Sequence, residues 1–282
     1  MTRRLVPAAA TLLLLAVSAG AAGTPQPGSP EGILSFADAL LRAGESFRAA
    51  TEYMRFLHHY PEAPGATRAL EGLGRAYALA GRWGQAAEAF RRAHERAPSP
   101  ERRLLLGTAL YRAGRAAEAA RLLLVPGAPE AHRILGTLAL IRSGNPGAGL
   151  PGRRQDILED YAALPRKHPA VAGGLAAVLP GAGHLYAGRP RDAAVSFAVN
   201  GLFLWGTWRA ARRDQWALAG ILGVLELGWY SGNVVSAVNA AHKWNRRESR
   251  RFFSRWEEAA VPRWNLVALP GGGTALGLTW RW

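Results

Sequence analysis

Between Asp214 and Lys243 the chain reads QWALAGILGVLELGWYSGNVVSAVNAAH, 28 residues of which only Glu226 carries a formal charge. A stretch this long and apolar has two destinations, a lipid bilayer or the centre of a large helical bundle. Two more uncharged stretches precede it, AVAGGLAAVLPGAGHLYAG over residues 170–188 and AAVSFAVNGLFLWGTW over residues 193–208. At a helical rise of about 1.5 Å per residue, the second and third are long enough for membrane helices. The first is interrupted by Pro180 and Gly181, which stop a helix and free backbone groups that lipid cannot satisfy. It reads as a kinked span or as a short re-entrant or interfacial helix. Trp205, Trp208, Trp216, Trp229, Tyr230 and Trp244 gather towards the segment ends, as an interfacial belt does. No amphipathic polar face survives along the two long stretches, which favours the membrane over a buried soluble bundle.

The polar residues inside these stretches are therefore the informative ones. An ionisable side chain in the middle of a membrane helix is costly and needs a partner or a cavity, which singles out Glu226. Asn200, near the middle of the preceding stretch, is a plausible hydrogen-bond partner for a protonated Glu226 carboxyl, and Asn233 lies two turns further along. Two readings follow: a polar pathway for protons or ions, or an interhelical clasp that pins the two helices together. Two helices leave little protein with which to build a pathway, so the clasp is preferred.

The first 23 residues, MTRRLVPAAATLLLLAVSAGAAG, have Arg3 and Arg4, an apolar run through Val17, and small residues at Ala19, Ala21 and Ala22. This is the pattern of a secretory signal peptide cut near Ala22, with an uncleaved anchor as the alternative. The net charge of +15 would suggest nucleic acid, but all of the 35 Lys and Arg except Lys167 and Lys243 are Arg, in a chain also rich in Ala, Gly and Leu. That bias tracks overall composition, so no nucleic-acid partner is read from it. The absence of cysteine excludes disulfides, thiol catalysis and thiolate metal sites.

Between leader and apolar stretches, a pattern recurs at an interval in the low thirties. The clearest unit, TRALEGLGRAYALAGRWGQAAEAFRRAHERAPSP, carries Leu73, Gly74, Tyr77, Gly81, Trp83, Ala86, Phe90, Ala93 and Pro98. Leu73 and Tyr77 lie one turn apart on a first helix, Ala86, Phe90 and Ala93 form a stripe on a second, and small Gly74 and Ala86 allow close approach. A preceding unit has Leu40, Gly44, Ala49, Tyr53 and Pro61; a following one has Leu106, Gly107, Gly114, Ala119 and Leu123. A fourth keeps Leu135 and Gly136, then carries the insertion SGNPGAGLPGRR before a helix expected to contain Ile157, Leu158, Tyr161 and Leu164. These residues resemble the tetratricopeptide signature. The resemblance implies a solenoid of helical hairpins that holds a protein or peptide in a concave groove, without catalysis. His58, His59, Tyr77 and Trp83 are the candidate groove and framework residues. His58 and His59 point about 100° apart on a helix, which argues against a shared metal.

The stretch PGAGHLYAGRPRDA contains Pro180, Gly181, Gly183, His184, Tyr186 and Gly188. With the apolar pair that follows, it resembles the PGxGxxYxG membrane modules that Gram-negative bacteria append to tetratricopeptide repeats, themselves similar to TM-two type domains. The resemblance covers about residues 170–245 and implies no activity. Taken by themselves, the glycines permit positive φ and close backbone approach, Tyr186 suits a membrane boundary, and His184 is expected to make an interfacial hydrogen bond.

After residue 242 the chain turns basic, with Lys243, Arg246, Arg247, Arg250, Arg251 and Arg255. Two spans would return this tail to the periplasm and three would leave it in the cytoplasm; the basic RAARRD between the long stretches leaves both open. The end, WNLVALPGGGTALGLTWRW, alternates at Leu276, Leu278, Trp280 and Trp282 outward from a PGGG turn, a β-hairpin pattern. The expected fold is thus all-α: a tetratricopeptide helical-hairpin solenoid, then a small transmembrane helical module and a short C-terminal β-hairpin. Expected divisions are a signal peptide (1–22), a flexible leader (23–33), repeats (34–168), a membrane helical module (169–245), and a basic helix with terminal hairpin (246–282). No HExxH, GxSxG, Walker loop or paired carboxylates occur, so no catalytic residue, metal or cofactor is expected. The expected function is a non-enzymatic scaffold of the bacterial cell envelope, in the inner membrane with periplasmic repeats. Its partners would be a protein in the groove, membrane lipid and further copies of the module. The alternative is a subunit of a transport or export assembly with Glu226 in a polar pathway.

Overall fold

A computed structural model describes Gln26, residues 28–260, and the strands Arg263–Ala268 and Thr274–Thr279. The expected signal peptide, the first residues of the leader, the PGGG turn, Trp280 and Trp282 lie outside the described residues. Twelve helices occur among the described residues, and the chain divides into two compact units.

The first unit runs to Asp160 and takes in the chain again from Ser254. It begins with helices α1 (Pro30–Arg42), α2 (Ser46–His59), α3 (Ala66–Leu79), α4 (Trp83–Arg96), α5 (Pro100–Arg112), α6 (Ala116–Leu123), α7 (Glu130–Arg142) and α8 (Gln155–Ala162). Consecutive helices pack as hairpins, and first helices of different hairpins also meet, α1 with α3 and α5 with α7. Local chemistry sets the boundaries. Ser29 and Ser99 accept from the amides of Gly32 and Arg102, with Pro30 and Pro100 just inside the helices. At the other ends one turn recurs: Gly44, Gly81 and Gly114 take φ of +79°, +72° and +80°. In each, the following amide returns to a carbonyl five residues back, as Glu45 N does to Leu40 O and Arg82 N to Tyr77 O. This is the Schellman closure, which glycine adopts without the strain a Cβ would bring.

The hairpins are held by buried stripes that include Tyr53, Phe56, Phe90, Leu123, Leu135 and Leu138. A Cβ at Gly74 would stand 2.6 Å from the Phe90 ring, and one at Gly107 2.6 Å from Leu123, so the small residues are where facing side chains insert. The divergent fourth hairpin buries Ile157 through the eight-residue α8. That helix ends at Ala162, so Leu164 falls beyond it, in a turn whose amide bonds to Tyr161 O. Near the C-terminus the two strands pair antiparallel, from Arg263 opposite Thr279 to Ala268 opposite Thr274.

The second unit, Tyr161–Phe253, contains α9 (Pro169–Val178), α10 (Ala182–Tyr186), α11 (Pro190–Ala211) and most of α12 (Trp216–Ala260). The first apolar stretch is thus two short helices, not one kinked span: α9 is about 15 Å long against the ~30 Å of a hydrocarbon core. Of the two longer stretches, one helix, α12, is long and apolar enough to cross a membrane. The expectation that both qualify is corrected. The 22-residue α11 has the length, but Ser196, Asn200, Gly201, Gly206 and Thr207 dilute its apolar run, and Arg191, Asp192 and Arg209 occupy its ends. The division expected at residue 245 falls inside α12, which continues through the basic segment to Ala260.

Candidate functional site

In the first unit, a groove of about 410 Å³ opens between α2, α3 and α4, lined by Met54, Leu57, His58, Tyr77, Glu88 and Arg92 among others. Leu57, Leu73 and Ala89 give it an apolar floor, and Glu88 and Arg92 put charge on its rim. The Tyr77 hydroxyl lies 3.6 Å from Met54 Sδ, so the ring is steered into the groove wall. Of the four repeat residues singled out from sequence, the structure brings His58 and Tyr77 together here and leaves the other two elsewhere. His59 is exposed beside His58, with ring centroids 5.1 Å apart, outside the lining. Trp83 opens α4 beside a shallow basic depression with Arg82, Arg112 and Arg115.

A second constellation in this unit escaped the sequence reading. The Glu257 carboxylate accepts from the Tyr111 hydroxyl at 2.7 Å and from Arg142 at 2.8 Å, and lies 3.3 Å from Arg112. Arg142 also stacks on the Tyr111 ring at 4.3 Å. Burial, and then the Glu257 carboxylate beside it, push the Tyr111 phenol above its ordinary range. Glu257 was not singled out from sequence, since a separation of 146 residues leaves no local signal. His132 is a buried group of a different kind: its Nε2 lies 2.9 Å from Pro100 O, and burial holds the imidazole below its usual range.

In the second unit the motif residues converge. Gly181 takes φ +90°, and a Cβ there would collide with the carbonyl of Ala193 at the start of α11. A Cβ at Gly183 would strike Ala172 O of α9 and also meet Ala237 of α12, so α10 is clamped between the two helices. Pro180 ends α9 beside this turn, and Gly188, at φ +75°, closes α10 with the same Schellman bonds that close the repeat hairpins. His184 is 2 % exposed and bonds Ser236 Oγ at 3.1 Å. The interfacial hydrogen bond expected of it is replaced by an interior one, because Gly183 draws α10 onto α12. The Tyr186 hydroxyl accepts from His168 N at 3.1 Å, at the start of α9, while Lys167 places its ammonium 4.8 Å from the Tyr186 ring and 5.2 Å from that of Trp244. Asn245 completes the knot, exchanging two 2.8 Å bonds with the backbone of Lys167. Ser236 and Asn245 were not singled out from sequence, since their partners lie 52 and 78 residues away, and Trp244 was read only as part of the interfacial belt.

Asn200, Glu226 and Asn233 are all buried. No bond runs from the Asn200 amide to the Glu226 carboxylate: Asn200 Nδ2 donates to Ser196 O, one turn back on its own helix, at 2.5 Å. Its remaining Oδ1 is an acceptor with no partner, as are both Glu226 carboxylate oxygens, and Asn233 leaves its Oδ1 and Nδ2 unpaired. Nδ2 keeps a second N–H, but neither Glu226 oxygen has a partner, so that N–H does not reach the carboxylate. No protein-family model matches this chain, and no curated protein sequence does.

Proposed function

We propose that the chain is a non-enzymatic, membrane-anchored scaffold whose tetratricopeptide-like hairpins hold a protein partner. One observation supports it most: the second unit is inside out. Val224 is 72 % exposed and Leu227 69 %, while Glu226 between them is 7 % exposed. On α11, Phe197 and Leu202 face outward at 60 % and 65 % while Asn200 is fully buried. A soluble protein of this size does not present such a continuous apolar exterior over a polar interior; a bilayer is the solvent that suits it. The apolar window of α12 is only 17 % buried within the molecule, unlike a soluble core helix. Trp205, Trp208, Trp216 and Trp229 stand on this exterior, where indoles suit the headgroup boundary.

The partner-binding half of the proposal rests on the groove around Met54 and Tyr77. The compartment rests on the N-terminal sequence: an export signal ahead of the repeats places them on the periplasmic side of a bacterial inner membrane. Alkaline carbonate extraction tests the anchor, and the full-length protein is expected to stay with the membrane pellet. Photo-crosslinking from position 54 tests the groove, with one defined adduct expected in cells and its loss in Tyr77→Glu. Release by carbonate refutes the anchor; an adduct unchanged by Tyr77→Glu refutes the groove.

A further inference from the structure

The unpaired groups inside the second unit are not scattered. α11 and α12 form a hairpin through Arg212–Gln215, so heights can be counted from the turn. Asn200 lies eleven residues before Ala211 and Glu226 ten after Trp216, about 16 Å and about 15 Å along their helices. Gly206 packing against Leu222 Cδ1 gives the same register. Asn200 and Glu226 therefore occupy one rung, both turned into the interior and both more than nine-tenths buried. The rung contributes three acceptor oxygens that meet no donor: Glu226 Oε1 and Oε2, and Asn200 Oδ1, whose Nδ2 bonds Ser196 O and reaches neither carboxylate oxygen.

Acceptors facing acceptors in a dry interior repel, and a bare carboxylate there is strongly unfavourable. Something positive must close the rung, and among the described residues no side chain packed around it does. α9 has no ionisable residue, and α11 has none between Asp192 and Arg209. α10 supplies His184, tied to Ser236, and Tyr186, tied to His168 N. On α12, the Tyr230 hydroxyl is committed to Ala177 O.

We propose that Glu226 and Asn200 form a binding site for a small monovalent cation, a proton or Na⁺, held between the carboxyl and amide oxygens. As a proton it makes Glu226 the donor of an O–H···O bond to Asn200 Oδ1; Na⁺ takes the same oxygens as ligands. Asn233, two turns along the same face, is a second orphan on the route by which the ion would leave. The proposal rests on the membrane reading of this unit and adds a ligand to it.

The test is labelling of the full-length protein in native membrane vesicles with dicyclohexylcarbodiimide, an apolar reagent that reaches carboxyls from lipid and reacts with their protonated form. Peptide mass spectrometry reads adduct formation at Glu226, with Glu226→Gln as the control. Labelling is expected in mildly acidic buffer and should fall at least about tenfold on moving to alkaline buffer. Protection by Na⁺ at constant ionic strength assigns the site to Na⁺, and its absence assigns it to the proton. Asn200→Ala should move the labelling midpoint towards acid by about one pH unit, and Asn200→Ser, which keeps an acceptor, should move it less. An unlabelled Glu226 in protein that resists carbonate extraction overturns the site, as does labelling that ignores pH. Protein released by carbonate overturns the membrane reading instead.

Discussion

Replacing Glu257 by Ala should loosen the end of the helical stack by an amount that can be worked from its three partners. Tyr111 is 1 % exposed, so losing the carboxylate strands its hydroxyl in the interior at a cost of about 1–3 kcal/mol. Arg112 and Arg142 keep 38 % of their side-chain surface in water, which takes up most of what they lose; each contributes no more than about 0.5 kcal/mol. The sum is about 1–4 kcal/mol. Glu257→Gln keeps an acceptor for Tyr111 and should cost only about 1 kcal/mol. In a Tyr111→Phe background no hydroxyl is stranded, so Glu257→Ala should there cost only the arginine share, a coupling of about 1–3 kcal/mol. Native-state amide exchange at the last turns of α5 and α7 is the suitable assay, because a repeat stack opens locally before it unfolds as a whole. Protection within about 0.5 kcal/mol of wild type in Glu257→Ala, or an equal loss in the Tyr111→Phe background, would refute the assignment.

His132 gives a pH dependence. Its folded pKa is depressed, so its contribution is fully present above the unfolded value of about 6.5 and is lost as pH falls from there through the folded value; protection of α7 should weaken over that window and flatten in His132→Gln. Gly181→Ala should destabilise the second unit by at least about 1–2 kcal/mol, from the left-handed backbone alone, and lower its melting temperature in detergent. Gly74→Ala drives a methyl onto the Phe90 ring and should cost about 1–3 kcal/mol in amide protection of α3 and α4. Asn245→Ala removes both bonds to Lys167 and should raise exchange at the Lys167 amide, where a mobile connection would show no change.

What could be read from the sequence was whatever is encoded locally. The hairpin glycines, the small residues under Phe90 and Leu123, and the helix break at Pro180–Gly181 depend on neighbours a few residues away, and each stands where its pattern placed it. The inward turning of Glu226 also follows from composition, since every alternative exposes a carboxylate to an apolar surround. The Glu257 cluster and the Lys167–Trp244–Asn245 knot join residues 77 to 146 positions apart, and no periodicity carries that pairing. The missing amide-to-carboxylate bond between Asn200 and Glu226 has a subtler reason. Whether an asparagine in a helix spends its amide on its own Ser196 carbonyl or on a neighbour is decided by rotamer, which spacing does not show. α11 was overread as a span because absence of charge was taken for apolarity.

The turn between α11 and α12 closes like the glycine turns of the repeats, with Asp214 amide to Ala211 O and Gln215 amide to Ala210 O, yet its left-handed residue is Asp214 at φ +57°. Aspartate tolerates that conformation better than most side chains do. With Arg209, Arg212 and Arg213 it makes the hairpin tip a knot of four formal charges, two of them seated over Trp205 and Trp208. Drawing such a tip through hydrocarbon would cost about 2.5–3.5 kcal/mol per charge, about 10 kcal/mol or more in all. On the membrane reading, the hairpin is therefore a one-way fastening: the side on which its tip emerges during insertion is kept for the life of the molecule.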